Sequence, residues 1–116
     1  MRNLFFYGFV LLLFYSCSST KETTAPELER KELSEKDKVA FGRTYIDGTK
    51  EKILGNYEKA ETYFKKALSL DPYSAAANYE LGIVYSSLGK KDLAYLQFKM
   101  ANEIDSSVNQ QRTGLT

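Results

Sequence analysis

The chain has 116 residues, no histidine and a single cysteine, Cys17. Without an imidazole no Ser/His or Cys/His nucleophile pair can be assembled, and one thiol cannot by itself build a thiolate/imidazole metal site. Carboxylates remain as candidates for acid–base work. They run beside lysines, however, as in Glu58-Lys59 and in Glu61 followed by Lys65-Lys66, which is the pattern of a solvated helix face. The stretch from Gly42 to Gly48 lacks the Gly-Lys-Ser/Thr ending of a phosphate-binding loop. The expectation is a protein without catalysis and without a cofactor. Sixteen Lys plus Arg against fifteen Asp plus Glu give no long-range field to gather polyanions, so nucleic acid is not an expected partner.

The surroundings of Cys17 say what its thiol could do. Met1-Arg2-Asn3 forms a short positive end, Leu4 to Tyr15 is almost unbroken apolar and aromatic, and Ser16-Cys17-Ser18-Ser19 follows. That is the layout of a secretion leader, and the run is short of the roughly twenty apolar residues a membrane-spanning helix needs. With Ser16 just before the cysteine, residues 1–17 resemble a bacterial lipoprotein signal. Phe14 and Tyr15 stand where that family usually has Leu and a small residue. The resemblance implies that Cys17 becomes the lipid-modified first residue of the mature protein, held by more than one acyl chain and therefore stably. It also implies a place in the bacterial cell envelope, at the outer membrane or the periplasmic face. A plain cleaved leader, or a short uncleaved anchor with an incidental Cys17, are the alternatives.

Residues 18–34 are rich in Ser, Thr, Lys and Glu, contain Pro26, and offer only Leu28 and Leu33 as sizeable apolar groups. Such a segment cannot bury enough surface to order itself and reads as a polar tether with a coil span of about 20–24 Å. Glu27 to Glu32 holds good helix formers and could extend the next helix backwards.

Ser34 with Asp37 three residues on has the form of a capping box, and Val39, Ala40, Phe41, Tyr45, Ile46, Thr49, Ile53 and Leu54 follow at helical spacing. A first helix over about 35–54 is predicted, broken by Gly55-Asn56. A second runs from Tyr57 to Leu70 and ends at Asp71-Pro72, because the residue before Pro is pushed out of the helical region. Ser74 caps a third through Leu88, Gly89 closes it, and a fourth is expected from Lys91 to near Ile104, with a short polar tail over 109–116.

These helices repeat. Thirty-four residues separate Tyr45 from Tyr79, Gly48 from Gly82, Leu54 from Leu88, Gly55 from Gly89, Ala60 from Ala94, Phe64 from Phe98, Lys65 from Lys99, Ala67 from Ala101 and Asp71 from Asp105. A period of that length means stacked helical hairpins. The second unit carries Leu81-Gly82, Tyr85, Gly89, Ala94, Phe98, Ala101 and Asp105; the first carries Gly48, Gly55, Ala60, Phe64, Ala67 and Asp71-Pro72. This pattern resembles the tetratricopeptide repeat (TPR), with units at 41–74 and 75–108. Asp47, Glu51 and Ser106 depart from it, standing where the family prefers Leu, Tyr and Pro. The predicted fold class is all-α, a short α-solenoid of two hairpins within a domain at 35–108. Gly48, Gly82, Ala60 and Ala94 are expected to allow close helix approach, Phe64 and Phe98 to fill the groove between hairpins, and Ala67, Ala101 and Pro72 to complete the packing set.

Two surfaces are candidates for binding. The resemblance implies a concave face lined by the first helix of each hairpin, through Tyr45, Thr49, Lys52 and Ile53 and then Tyr79, Ile83, Ser86 and Ser87; the same tyrosines are ordinary packing residues. On the last helix Leu93, Leu96 and Met100 form a stripe one period after the polar Lys59, Thr62 and Lys66. It reads as a docking or homodimer face, as a patch under a folded-over tail, or as a modest exposed patch. The expected function is a membrane-anchored envelope lipoprotein that works as a scaffold for a protein or peptide partner. The alternative is a self-associating structural subunit without a peptide groove.

Overall fold

The computed structural model describes residues 31–114; the leader, Cys17 and most of the tether lie outside them. Residues 31–34 are not helical, so no backward extension of the first helix reaches into them. Four helices follow: α1 (Glu35–Ile53), α2 (Tyr57–Leu70), α3 (Ala75–Ser87) and α4 (Lys91–Thr113). Among the described residues there is no strand.

Each start and stop has a local cause. The Ser34 hydroxyl accepts from the Asp37 N–H at 3.2 Å and donates to the Asp37 carboxylate at 2.7 Å, which satisfies one of the free amides at the start of α1. Glu35 and Asp37 in the first turn and Lys50 and Lys52 in the last complement the helix dipole. Both hairpin turns are the same Schellman motif. Gly55 has φ 78° and Gly89 φ 76°, and the next residue reaches back five positions, Asn56 N–H to Glu51 O at 2.9 Å and Lys90 N–H to Tyr85 O at 2.8 Å. Asp71 is extended before Pro72, and Ser74 caps α3 by accepting from the Ala77 N–H at 3.2 Å.

The fourth helix corrects the sequence expectation. It does not stop near Ile104 but continues through Thr113 to Gly114, a left-handed C-cap with φ 61°. The cause is Ser106, which stands where the first unit has Pro72. Asp105 is thus free of the steric bar that forces Asp71 out of the helix, and the first left-handed stop downstream is Gly114.

α1 packs on α2, α3 on α4, and α2 on α3, with α1 touching α3 at one edge. The core runs through the stack as Ala60, Phe64, Leu81, Val84, Tyr85 and Ala94, with Tyr45, Tyr57, Leu68, Leu88 and Phe98 partly buried against it. Two hairpins therefore share one core, and the α2–α3 seam is its middle.

Candidate functional site

The packing residues fall where the repeat puts them, with two differences. Gly48, Ala60, Phe64, Ala67, Gly82, Ala94 and Ala101 are buried, whereas Pro72 is exposed and Phe98 half-buried. Pro72 acts by ending α2, not by filling space. Each phenyl ring lies against the glycine of its own hairpin: a Cβ on Gly48 would sit 3.0 Å from the Phe64 ring, and one on Gly82 only 2.6 Å from the Phe98 ring. The glycines thus make room for the rings. Phe64 is also covered by α3, but among the described residues no helix follows α4 to cover Phe98 in the same way.

The eight residues assigned to the concave face divide into structural and available groups. Tyr45 is held between Phe41 (5.9 Å, stacked) and Phe64 (5.7 Å, edge-on), and its pKa is raised, first by burial and then by the nearby Glu80 carboxylate. The Lys52 ammonium donates to the Glu80 carboxylate, a half-buried pair that joins α1 to α3. Lys52 is therefore a tie between hairpins before it is a ligand contact. Thr49 and Ser87 donate their hydroxyls to Tyr45 O and Ile83 O one turn back. Tyr79 leans on Phe98 at 5.4 Å yet stays 54% exposed, and Ile53 is 76% exposed. Ile83 is half-buried and Ser86 exposed. What remains open is an apolar and hydroxyl surface of Ile53, Tyr79, Ile83 and Ser86, which suits aliphatic or aromatic side chains and offers no unpaired charge.

Leu93, Leu96 and Met100 are 43%, 51% and 44% exposed, with Tyr95 beside them. The equivalent Lys59, Thr62 and Lys66 of the first hairpin are exposed too, so the stripe lies on an outward face where its sister unit is polar.

Two tie points escape sequence reading. Asn78, 1% exposed, donates through its amide to Pro72 O (3.3 Å) and Ser74 O (2.9 Å), fixing the link between the hairpins. Its only trace in the sequence is a polar residue one period after Thr44, another buried polar side chain whose hydroxyl bonds Ala40 O at 2.8 Å. Glu61 accepts from Lys65 within α2 and from Lys90, 29 residues away, at 3.1 and 2.8 Å. The Lys90 hydrogen bond, helped by Lys65 and opposed by burial, holds the Glu61 carboxyl below its usual range.

Comparison with known proteins places these features. Residues 48–89 match the family model described as TPR repeat. Over 71 residues the chain is 32% identical to human "Tetratricopeptide repeat protein 7A", a match covering 61% of this chain and 8% of that protein. Over 49 residues it is 39% identical to "Probable UDP-N-acetylglucosamine--peptide N-acetylglucosaminyltransferase SPINDLY" of Eustoma exaltatum subsp. russellianum, covering 42% of this chain and 5% of that protein. The chain spans less than a tenth of the length of these curated relatives. No solved structure matches. The matched segment runs from Gly48 on α1 through α2 and α3 to the Gly89 turn, so this chain carries a TPR repeat, set within an all-α arrangement of helical hairpins that forms a short solenoid.

Proposed function

We propose that the protein is a membrane-anchored envelope lipoprotein whose TPR hairpins hold a protein or peptide partner, with no catalysis of its own. TPR repeats generally mediate protein–protein interaction, and one observation carries the reading here: Ile53, Tyr79, Ile83 and Ser86 leave an apolar and hydroxyl surface open along the leading helices. Aromatic and aliphatic groups of this kind, rigid and partly desolvated, are what anchors a peptide. The Cys17 anchor rests on the leader pattern and would raise the effective concentration of the domain towards other membrane-bound proteins.

Crosslinking in envelope membranes tests the scaffold: a specific protein should be enriched, and a Tyr79→Ala/Ile83→Ala variant should lose it. Repeated failure under mild conditions would count against a binding role. Mass analysis of the native N-terminus tests the anchor, since a lipidated Cys17 is expected and Cys17→Ala should release the protein from membranes.

The exposed stripe favours a second reading, a homodimer through Leu93, Leu96 and Met100. Replacing these residues by their first-hairpin counterparts (Leu93→Lys, Leu96→Thr, Met100→Lys) should keep the fold and abolish any dimer. A parent protein that sediments as a monomer at high micromolar concentration removes this reading.

A further inference from the structure

α1 carries an ordered outward face that the fold leaves open and that meets the surface of the leading helices at Ile53. Lys36, Val39, Arg43, Ile46, Lys50 and Ile53 succeed one another at spacings of three and four, which places all six on one side of the helix. All six are exposed. The aliphatic members, each β-branched, recur every seven residues, and so do the cationic ones, giving two parallel rows each about 21 Å long. Among the described residues none of the three cations makes an ion pair, although Lys38, Lys52, Lys65, Lys90 and Lys99 all do. The positions equivalent to Arg43 and Lys50 in the second hairpin are Ala77 and Val84, both fully buried against the stack. A hairpin of the same kind packed on α1 would therefore have to strip water from two cations, which is costly without partners.

We propose that this face of α1 is a docking surface for an anionic lipid bilayer. A row of cations beside a row of exposed aliphatics is the composition of helices that lie in a membrane interface: the aliphatics enter the headgroup boundary and the ammonium and guanidinium groups meet lipid phosphates. Charge selects an anionic occupant, and shape selects a flat one. Among the described residues α1 is packed by α2 and α3 alone, on its other sides, so no described element packs over the rows, and a broad plane can meet all six side chains together. The inference does not depend on Cys17. Were Cys17 acylated, the surface would set the orientation of a domain already at the membrane.

The chain contains no Trp, so Ile46→Trp gives the full-length protein one indole in the centre of the face, and Thr62→Trp gives a control on α2. Vesicles of phosphatidylglycerol and phosphatidylcholine should shift the Ile46→Trp emission to the blue and leave Thr62→Trp unchanged. Phosphatidylcholine alone should do neither, and high salt should reverse the shift. Adding Lys36→Glu, Arg43→Glu and Lys50→Glu should weaken this contact on the order of a hundredfold with far-UV helicity retained; should the triple variant lose helicity, Lys50→Gln alone must still weaken it. Co-sedimentation with anionic vesicles through the N-terminus while the Ile46→Trp emission stays unshifted would overturn the proposal without touching the anchor reading. An equal shift on neutral vesicles would overturn it as well. So would a shift produced by an acidic amphipathic peptide and not by vesicles, which would assign the face to a protein.

Discussion

Asn78 and Glu61 show how much of this small fold hangs on single polar groups. The Asn78 amide supplies the only side-chain donors found on Pro72 O and Ser74 O among the described residues, so Asn78→Ala removes two hydrogen bonds from the link between the hairpins, while Ser74 O keeps the residue-78 backbone N–H at 3.1 Å. The expected loss is about 1–3 kcal/mol, read as a lower urea midpoint with unchanged m. Glu61 predicts a pH dependence. Its carboxyl is more acidic folded than unfolded, so the folded state binds the proton less readily; the Glu61 contribution is complete above the unfolded carboxylate range and is lost as pH falls through the folded pKa. Denaturant midpoints measured from neutral to acid pH should fall, and the fall should be smaller in Glu61→Gln. A polar residue inside a helix gives no hint of where its hydrogen bonds go, which is why neither role was legible in the chain.

Helix boundaries were largely legible because capping and stopping are local. Ser34, Ser74, Gly55, Gly89 and Asp71-Pro72 each act within a few residues. α4 outruns its expected end near Ile104 for a related reason: Asp105 by itself does not stop a helix, and the stop in the first unit comes from the proline after Asp71. The glycines sort the same way by context. Gly42 has open space where a Cβ would go, Gly48 faces a fully buried Phe64, and Gly82 faces the Phe98 ring. Gly42→Ala should therefore stabilise by about 0.5–1 kcal/mol through helix propensity. Gly48→Ala and Gly82→Ala should destabilise by about 1–3 kcal/mol through overpacking. Thermal midpoints of the three variants, moving in opposite directions, check the assignment.

Two hairpins make a short stack, so the seam between them governs whether the protein unfolds as one body. Leu81 is 2% exposed and lies on that seam with Phe64 and Val84. Leu81→Ala should cost about 2–5 kcal/mol, a large share of what a domain this small holds. Hydrogen exchange should then rise in both hairpins together; protection kept in one alone would mean that they fold independently. The all-α class, the 34-residue period and the buried set of Gly48, Ala60, Phe64, Ala67, Gly82, Ala94 and Ala101 were readable in advance, because periodic spacing specifies which side of a helix is covered whatever covers it. Which leading-helix residues stay open was not. Tyr45 and Tyr79 are the same residue one period apart, yet Tyr45 is wedged between two rings beside the Lys52–Glu80 tie and Tyr79 stands half in water. Part of that difference is local, since Phe41 stands one turn before Tyr45 where Ala75 stands before Tyr79; the rest comes from Glu80, brought beside Tyr45 and Lys52 by the stacking of the second hairpin on the first, and contacts between residues so distant along the chain exist only once the chain has folded.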